Sequence, residues 1–249
     1  MVNGRLPSRL KKEPLIDAIF EVRFTSSMDV ASILPGLLMA RLGKIEKVER
    51  LPISDIPRPI RQSDQNLQFQ PLLRLVWEQF LINIGDRLVG ISCKLPYVGW
   101  SDFKRAILEV YKHIFTIGVI EKTERYSMKY VDLIEGNDPG EMVDRVAVDL
   151  NVGGHQLKRE PFMVRVEVPD GSISHIVQVI APAVVKLSTG QKTGVIVDID
   201  SVCAHSTEDV EAFMSSLDSR LVEIHAANKR MFFSSLKENT IEYLEPEYE

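Results

Sequence analysis

Residues 14–24, Pro-Leu-Ile-Asp-Ala-Ile-Phe-Glu-Val-Arg-Phe, constrain the fold more than any other stretch of this chain. Their hydrophobic period is two. Ile16, Ala18, Phe20, Val22 and Phe24 share one face, while Asp17, Glu21 and Arg23 share the other with Ile19. Successive side chains of a strand point to opposite faces, so a half-buried strand is the element that satisfies this alternation. The apolar face demands a core. The opposite face carries three ionisable groups that demand water, one another or a ligand, which makes Asp17, Glu21 and Arg23 candidate binding residues. The structural alternative is an ion pair between Glu21 and Arg23, which stabilises little when exposed.

The rest of the chain supplies elements to cover that strand. Val30, Ile33, Leu34, Leu37, Leu38 and Leu42 recur at helical spacing, with Pro35 near the start and Gly43 as a stop. Lys47 to Leu51 reads as a short strand. Residues 52–71 hold four prolines and little apolar periodicity, which predicts a long, protease-sensitive loop. Strands follow at Leu73–Glu78, Leu81–Gly85 and Arg87–Cys93. Ser101 and Asp102 are placed to cap a helix lined by Phe103, Ile107, Val110 and Ile114, and Arg125–Ile134 is a further strand.

Glu135-Gly136-Asn137-Asp138-Pro139-Gly140 favours a turn at nearly every position and marks the expected boundary between a half spanning 1–135 and a half spanning 136–249. The second half offers strands at Val146–Val152, Phe162–Val168, His175–Val185 and Gly194–Val202. A flexible loop is expected over Leu187–Gly194. A long helix begins at Ser206-Thr207-Glu208-Asp209, and an acidic, frayed tail closes the chain at Glu245–Glu249. The expected fold is α+β: two linked halves of antiparallel sheet covered by helices, ending in a long C-terminal helix.

Composition narrows the function classes. Apolar residues are 45% and charged residues 26%, a balance that lets a chain of 249 residues bury a core without metal or disulfide staples. A net charge of −5 argues against general nucleic-acid binding. No apolar run approaches a membrane span, and no signal-like apolar region follows the basic N-terminus, so a cytoplasmic location is expected. Cys93 and Cys203 sit in strand-like apolar surroundings and read as small buried hydrophobes. There is no Cys-x-x-Cys pair, no nucleophile elbow and no phosphate loop. His113, His155, His175, His205 and His225 are scattered, so no cofactor is indicated.

The opening strand, with its Leu, then Pro-x-Ile-acid-Ala-x-x-Glu-Val-Arg-Phe, resembles a sporadically distributed family of uncharacterised prokaryotic proteins. The likeness extends to Trp77–Cys93, to Tyr97 and Trp100, to Tyr126–Ile134, and to the C-terminal helix over Leu221–Leu236 with His225, Phe232 and Phe233. In the fourth block the family often shows an Arg-Tyr-x-Asn-like run. This chain reads Lys129-Tyr130-Val131-Asp132, with Asp132 in place of the amide. The resemblance implies a common fold and singles out Tyr130 and Asp132. Sporadic occurrence suggests an accessory role, such as a defence or toxin–antitoxin-like component.

Two further constellations bear on function. Asp198 and Asp200 share a strand face and, with a third acid such as Asp149 or Glu167, would form a metal site for phosphoryl transfer. Asp at a strand end is also ordinary turn chemistry. The C-terminal helix carries apolar residues on more than one stripe. Val210, Phe213, Leu217, Leu221, Ile224 and Phe232 face a sheet, while Met231 and Phe233 lie around the helix with Met214 and Leu236. Met231 and Phe233 are therefore candidates for contact with a protein partner or a second copy of the chain, unless the helix is buried all round. The leading reading is a non-catalytic binding or interaction protein. The alternatives are a metal-dependent phosphoryl-transfer or nuclease-like enzyme using Asp198 and Asp200, and a small-ligand-binding module.

Overall fold

The computed structural model describes residues 5–248, and of His205 and Ser206 the backbone alone. The fold is α+β, with a large antiparallel sheet flanked by helices. In chain order the elements are β1 (Arg9–Leu10), β2 (Leu15–Thr25), α1 (Val30–Leu42), β3 (Ile45–Arg50), a 3₁₀ turn (Pro52–Asp55), α2 (Arg58–Ser63), β4 (Pro71–Trp77), β5 (Phe80–Gly85), β6 (Leu88–Cys93) and α3 (Trp100–Thr116). They continue with β7 (Lys122–Glu135), α4 (Pro139–Arg145), β8 (Asn151–Val152), β9 (His155–Gln156), β10 (Phe162–Asp170), β11 (Ile173–Leu187), β12 (Gly190–Asp209), α5 (Val210–Ser234), α6 (Glu238–Tyr243) and β13 (Pro246–Glu247). Nine strands form one sheet in the order β10-β11-β12-β7-β2-β6-β5-β4-β3, so β10 and β3 are its two edges.

The chain gathers into two compact units, each assembled from separated segments rather than from consecutive halves. Unit 1 comprises 1–16, 129–201 and 225–249; unit 2 comprises 17–128 and 202–224. In unit 2 the alternation of β2 is realised: Ala18, Phe20, Val22 and Phe24 are buried and Asp17, Ile19, Glu21 and Arg23 are half-buried. Phe20 meets Tyr111 of α3 edge-on, with ring centroids 5.4 Å apart, and the Tyr111 hydroxyl donates to the Val89 carbonyl at 2.5 Å. α1 stops where Gly43 takes φ 59°, a backbone angle that favours glycine.

Unit 1 builds its core on one face of β10, β11 and β12. Val177, Val179 and Ala181 of β11 and Val195, Val197 and Ile199 of β12 pack with Met142 of α4, Phe232 and Phe233 of α5, and Ile241 of α6. Gly194 is required where β12 meets β7: a Cβ there would lie 2.2 Å from the Ile134 carbonyl oxygen.

Several expectations are corrected. Residues 52–71 are not an unstructured loop, because Pro52 and Pro57 occupy helix-starting positions and the 3₁₀ turn and α2 form behind them. The segment is anchored by Arg61, whose guanidinium is buried against Asp86 at 2.9 and 3.3 Å and also donates to the Ile56 carbonyl. The Asn137–Gly140 turn signal opens α4 instead, since Asp138 accepts from the Gly140 and Glu141 amides with Pro139 in the first turn. α4 ends at Arg145, and of the strand expected over Val146–Val152 only a bridge from Val146 to Leu236 and the short β8 at Asn151–Val152 form. α3 begins at Trp100, capped by Gly99 rather than by a Ser101 or Asp102 side chain. The loop expected at Leu187–Gly194 is a tight turn, β12 starting already at Gly190. β12 also runs on to Asp209, so the long helix starts at Val210. Pro246–Glu247 of the tail pairs antiparallel with Arg9–Leu10.

Candidate functional site

The polar face of β2 is resolved within unit 2. Arg23 Nε donates to Glu21 Oε1 at 2.9 Å, and the Arg23 guanidinium lies 4.3 Å from the centroid of Phe69. Arg87 sits on the same ring at 5.1 Å and grips both Glu124 carboxylate oxygens at 2.9 Å. Arg74 bonds Asn83 across β4 and β5 at 2.9 Å. Glu21 and Arg23 are thus paired with each other and roofed by Phe69, a residue the sequence reading passed over because it lies in the proline-rich segment. Asp17 lies half-buried at the head of this face and also has a partner of its own.

Tyr130 and Asp132, two residues apart on β7, lie in unit 1. The Tyr130 hydroxyl is 3.2 Å from His225 Nδ1, and burial together with Lys229 lowers the His225 pKa to about 4. Asp132 is 6% exposed and makes no hydrogen bond or ion pair among the described residues. Burial, then the charges of Glu13 and Asp198, push its pKa up to about 8. At neutral pH Asp132 is therefore protonated and His225 is neutral, an acid and a base whose environments have moved them apart. Asp132 is enclosed and His225 is half-buried against Tyr130.

Asp198 is neutralised by Lys129 at 2.8 Å, and Asp200 is half-buried two residues along β12. Among the described residues no group of three or more His, Cys, Asp or Glu side chains converges to hold a metal ion. Phe233 is corrected as a surface candidate: it is 4% exposed, stacks edge-on with Phe232 at 5.2 Å, and belongs to the core of unit 1, whereas Met231 is half-buried and packs against that core. The second apolar stripe of α5 is used inside the unit, where α4, α6 and the sheet enclose the end of the helix.

A serine–histidine–aspartate arrangement, absent from the sequence reading, joins β10, β11, β12 and α5 in unit 1. His175 Nδ1 lies 2.8 Å from Ser201 Oγ, and His175 Nε2 lies 3.6 Å from Asp170 Oδ2. Asn228 Nδ2 donates to Ser201 Oγ at 2.8 Å and to the Ile199 carbonyl at 3.0 Å. Because Asn228 donates to the serine oxygen, the serine proton goes to His175 Nδ1, which leaves Nε2–H toward Asp170. Burial lowers the His175 pKa, outweighing Asp170, so the imidazole is neutral. Ser201 is 0% and His175 1% exposed, so this triad is a clamp rather than a nucleophile. No signal short of the fold itself links 170, 175, 201 and 228.

A polar groove of unit 1, about 820 Å³, lies beside α4, and Lys237 and Asp144 pair across its lining at 3.0 Å.

What unit 1 does expose is β10. This strand pairs with β11 from Phe162↔Ala181 to Asp170↔Ile173 and, among the described residues, has no neighbour on its other side. Met163 is 67% and Val166 45% exposed, and Val184 on β11 is exposed nearby. Arg165 and Glu167 alternate with the valines. Ser174 Oγ donates to Glu167 Oε1 at 2.7 Å, whereas Arg165 makes no ion pair among the described residues.

No protein-family model matches the chain, and no curated protein matches it. Among the described residues no helix is long and apolar enough to cross a membrane.

Proposed function

We propose that the protein is a non-catalytic interaction protein whose binding element is the open sheet edge at β10. One observation carries the reading: an edge strand rich in valine exposes Met163 and Val166 together with its unpaired main chain. Such an edge is a template for another strand, and it persists only where a strand is meant to add or where charge and shape block addition. The titratable clusters support the same reading from the other side. Asp132, His175 and Ser201 are buried, His225 is half-buried against Tyr130, and among the described residues the acids of β12 are held by Lys129 or lack the converging third ligand that phosphoryl transfer needs.

The test compares Val166→Lys on β10 with Val48→Lys on β3, both at exposed positions, in chemical cross-linking with mass spectrometry from the native host. The expected result is that Val166→Lys removes the cross-linked species and Val48→Lys leaves them. Species that survive Val166→Lys, or the absence of any, would reject the reading.

A further inference from the structure

Resting on that reading, we infer that the strand received by β10 is β10 of a second copy of this chain, paired antiparallel about a two-fold axis through Val166. The argument is one of register. In antiparallel pairing, directly opposed residues place their side chains on the same face, so a self-pairing that keeps core face against core face must centre on a residue rather than between two. Centring on Arg165 opposes two arginines, and centring on Glu167 opposes two glutamates. Both are penalised, since like charges directly opposite destabilise a strand pair. Centring on Val166 opposes Arg165 of each copy to Glu167 of the other, and it does so twice.

The same register matches everything else on the strand. Val164 falls opposite Val168 of the second copy, Val166 opposite Val166, and exposed Met163 over Pro169. Arg165, which makes no ion pair among the described residues of its own chain, gains one. Glu167 already takes one hydrogen bond, from Ser174 on Oε1, which fixes the carboxylate and leaves Oε2 for the incoming guanidinium. The exposed apolar residues and the unmatched charge of this edge are thus satisfied by a single self-complementary contact, the arrangement a two-fold dimer requires.

Sedimentation of the full chain tests this. The wild type is expected to move from the 28.2 kDa chain mass towards twice that mass with concentration, less readily as salt is added. Arg165→Glu and Glu167→Arg, each opposing like charges, are expected to weaken the dimer about tenfold or more. The double swap Arg165→Glu/Glu167→Arg re-matches the pairs and is expected to restore it. Val166→Cys is expected to give a disulfide-linked dimer on oxidation, because the two-fold opposes the cysteines within bridging distance while Cys93 and Cys203 are buried; Arg165→Cys is not. A double swap as weak as the single variants, or linkage by Arg165→Cys but not Val166→Cys, overturns the register. A wild type monomeric at every concentration overturns self-pairing. If Val166→Lys still removes host cross-links in that case, the edge reading stands without it. If it does not, both fall.

Discussion

In unit 2 the well-placed charges are matched within the unit: Arg61 with Asp86, Arg87 with Glu124, Arg23 with Glu21 and Arg220 with Glu208. In unit 1 two groups stand out. Asp132 is buried beside other acids and stays neutral only by holding its proton, and Arg165 stands on an exposed strand with no ion pair among the described residues. The two sheet edges repeat the contrast. β3 carries a register shift between Ile45 and Lys47, pairs Lys47 with Glu49 at 2.8 Å and Arg50 with Asp55 at 3.5 Å, and is mostly charged. Irregularity and self-satisfied charge are how an edge refuses a partner. β10 pairs with β11 without a break through nine residues and keeps apolar groups and an unmatched arginine outward. A unit that satisfies itself has no reason to bind; a unit with a regular, unsatisfied edge does.

The largest effect that could break this contrast lies in unit 2. Asp86→Ala leaves the Arg61 guanidinium buried without its carboxylate and is expected to cost about 3–5 kcal/mol in denaturant unfolding. A cost below about 1 kcal/mol would mean that the pair does not hold the 52–71 segment down.

In unit 1 the opposite sign is expected. The folded state holds the Asp132 proton up to about pH 8, whereas the unfolded chain releases it near 3.8. Between those values the folded state binds more protons, so stability falls as pH rises through the window. Asp132→Asn removes that loss. It is expected to stabilise the protein by roughly 2–4 kcal/mol at pH 7, with the gain vanishing toward pH 4. A variant less stable than wild type at pH 7 would show that Asp132 is ionised and paired.

A smaller effect comes from His225. Its folded pKa lies below the unfolded value, so its contribution is fully present above about pH 6.5 and is lost as pH falls toward 4. His225→Gln is expected to flatten that acid limb of the stability profile. An unchanged slope would place the acid sensitivity elsewhere.

The sequence made some of this plain and hid the rest for physical reasons. The period-two run of β2 and the helical spacing of α1 and α5 are local signals, and they survive because the sheet and helices bury the faces those signals mark. The proline-rich 52–71 segment misled, because its order comes from one tertiary contact, Arg61 with Asp86, that no local pattern announces. Asn137–Gly140 misled because a turn signal and a helix N-cap use the same residues. Asp132 lies two residues from Tyr130 on β7, and nothing in that spacing announces that burial keeps its proton on at neutral pH. Phe233 was misassigned because the spacing of α5 reveals two apolar stripes but not what encloses them. The Val-Arg-Val-Glu-Val run of β10 was visible throughout. Its meaning depended on sheet order, which placed it at an edge.

Amide hydrogen exchange read at β10 and β3 in one sample, at low and at high protein concentration, tests the central claim most directly. The account predicts that amides between Val164 and Val168 exchange more slowly at high concentration while those between Ile45 and Arg50 do not change. Equal exchange at β10 at both concentrations, or slowing at β3 instead, would contradict it.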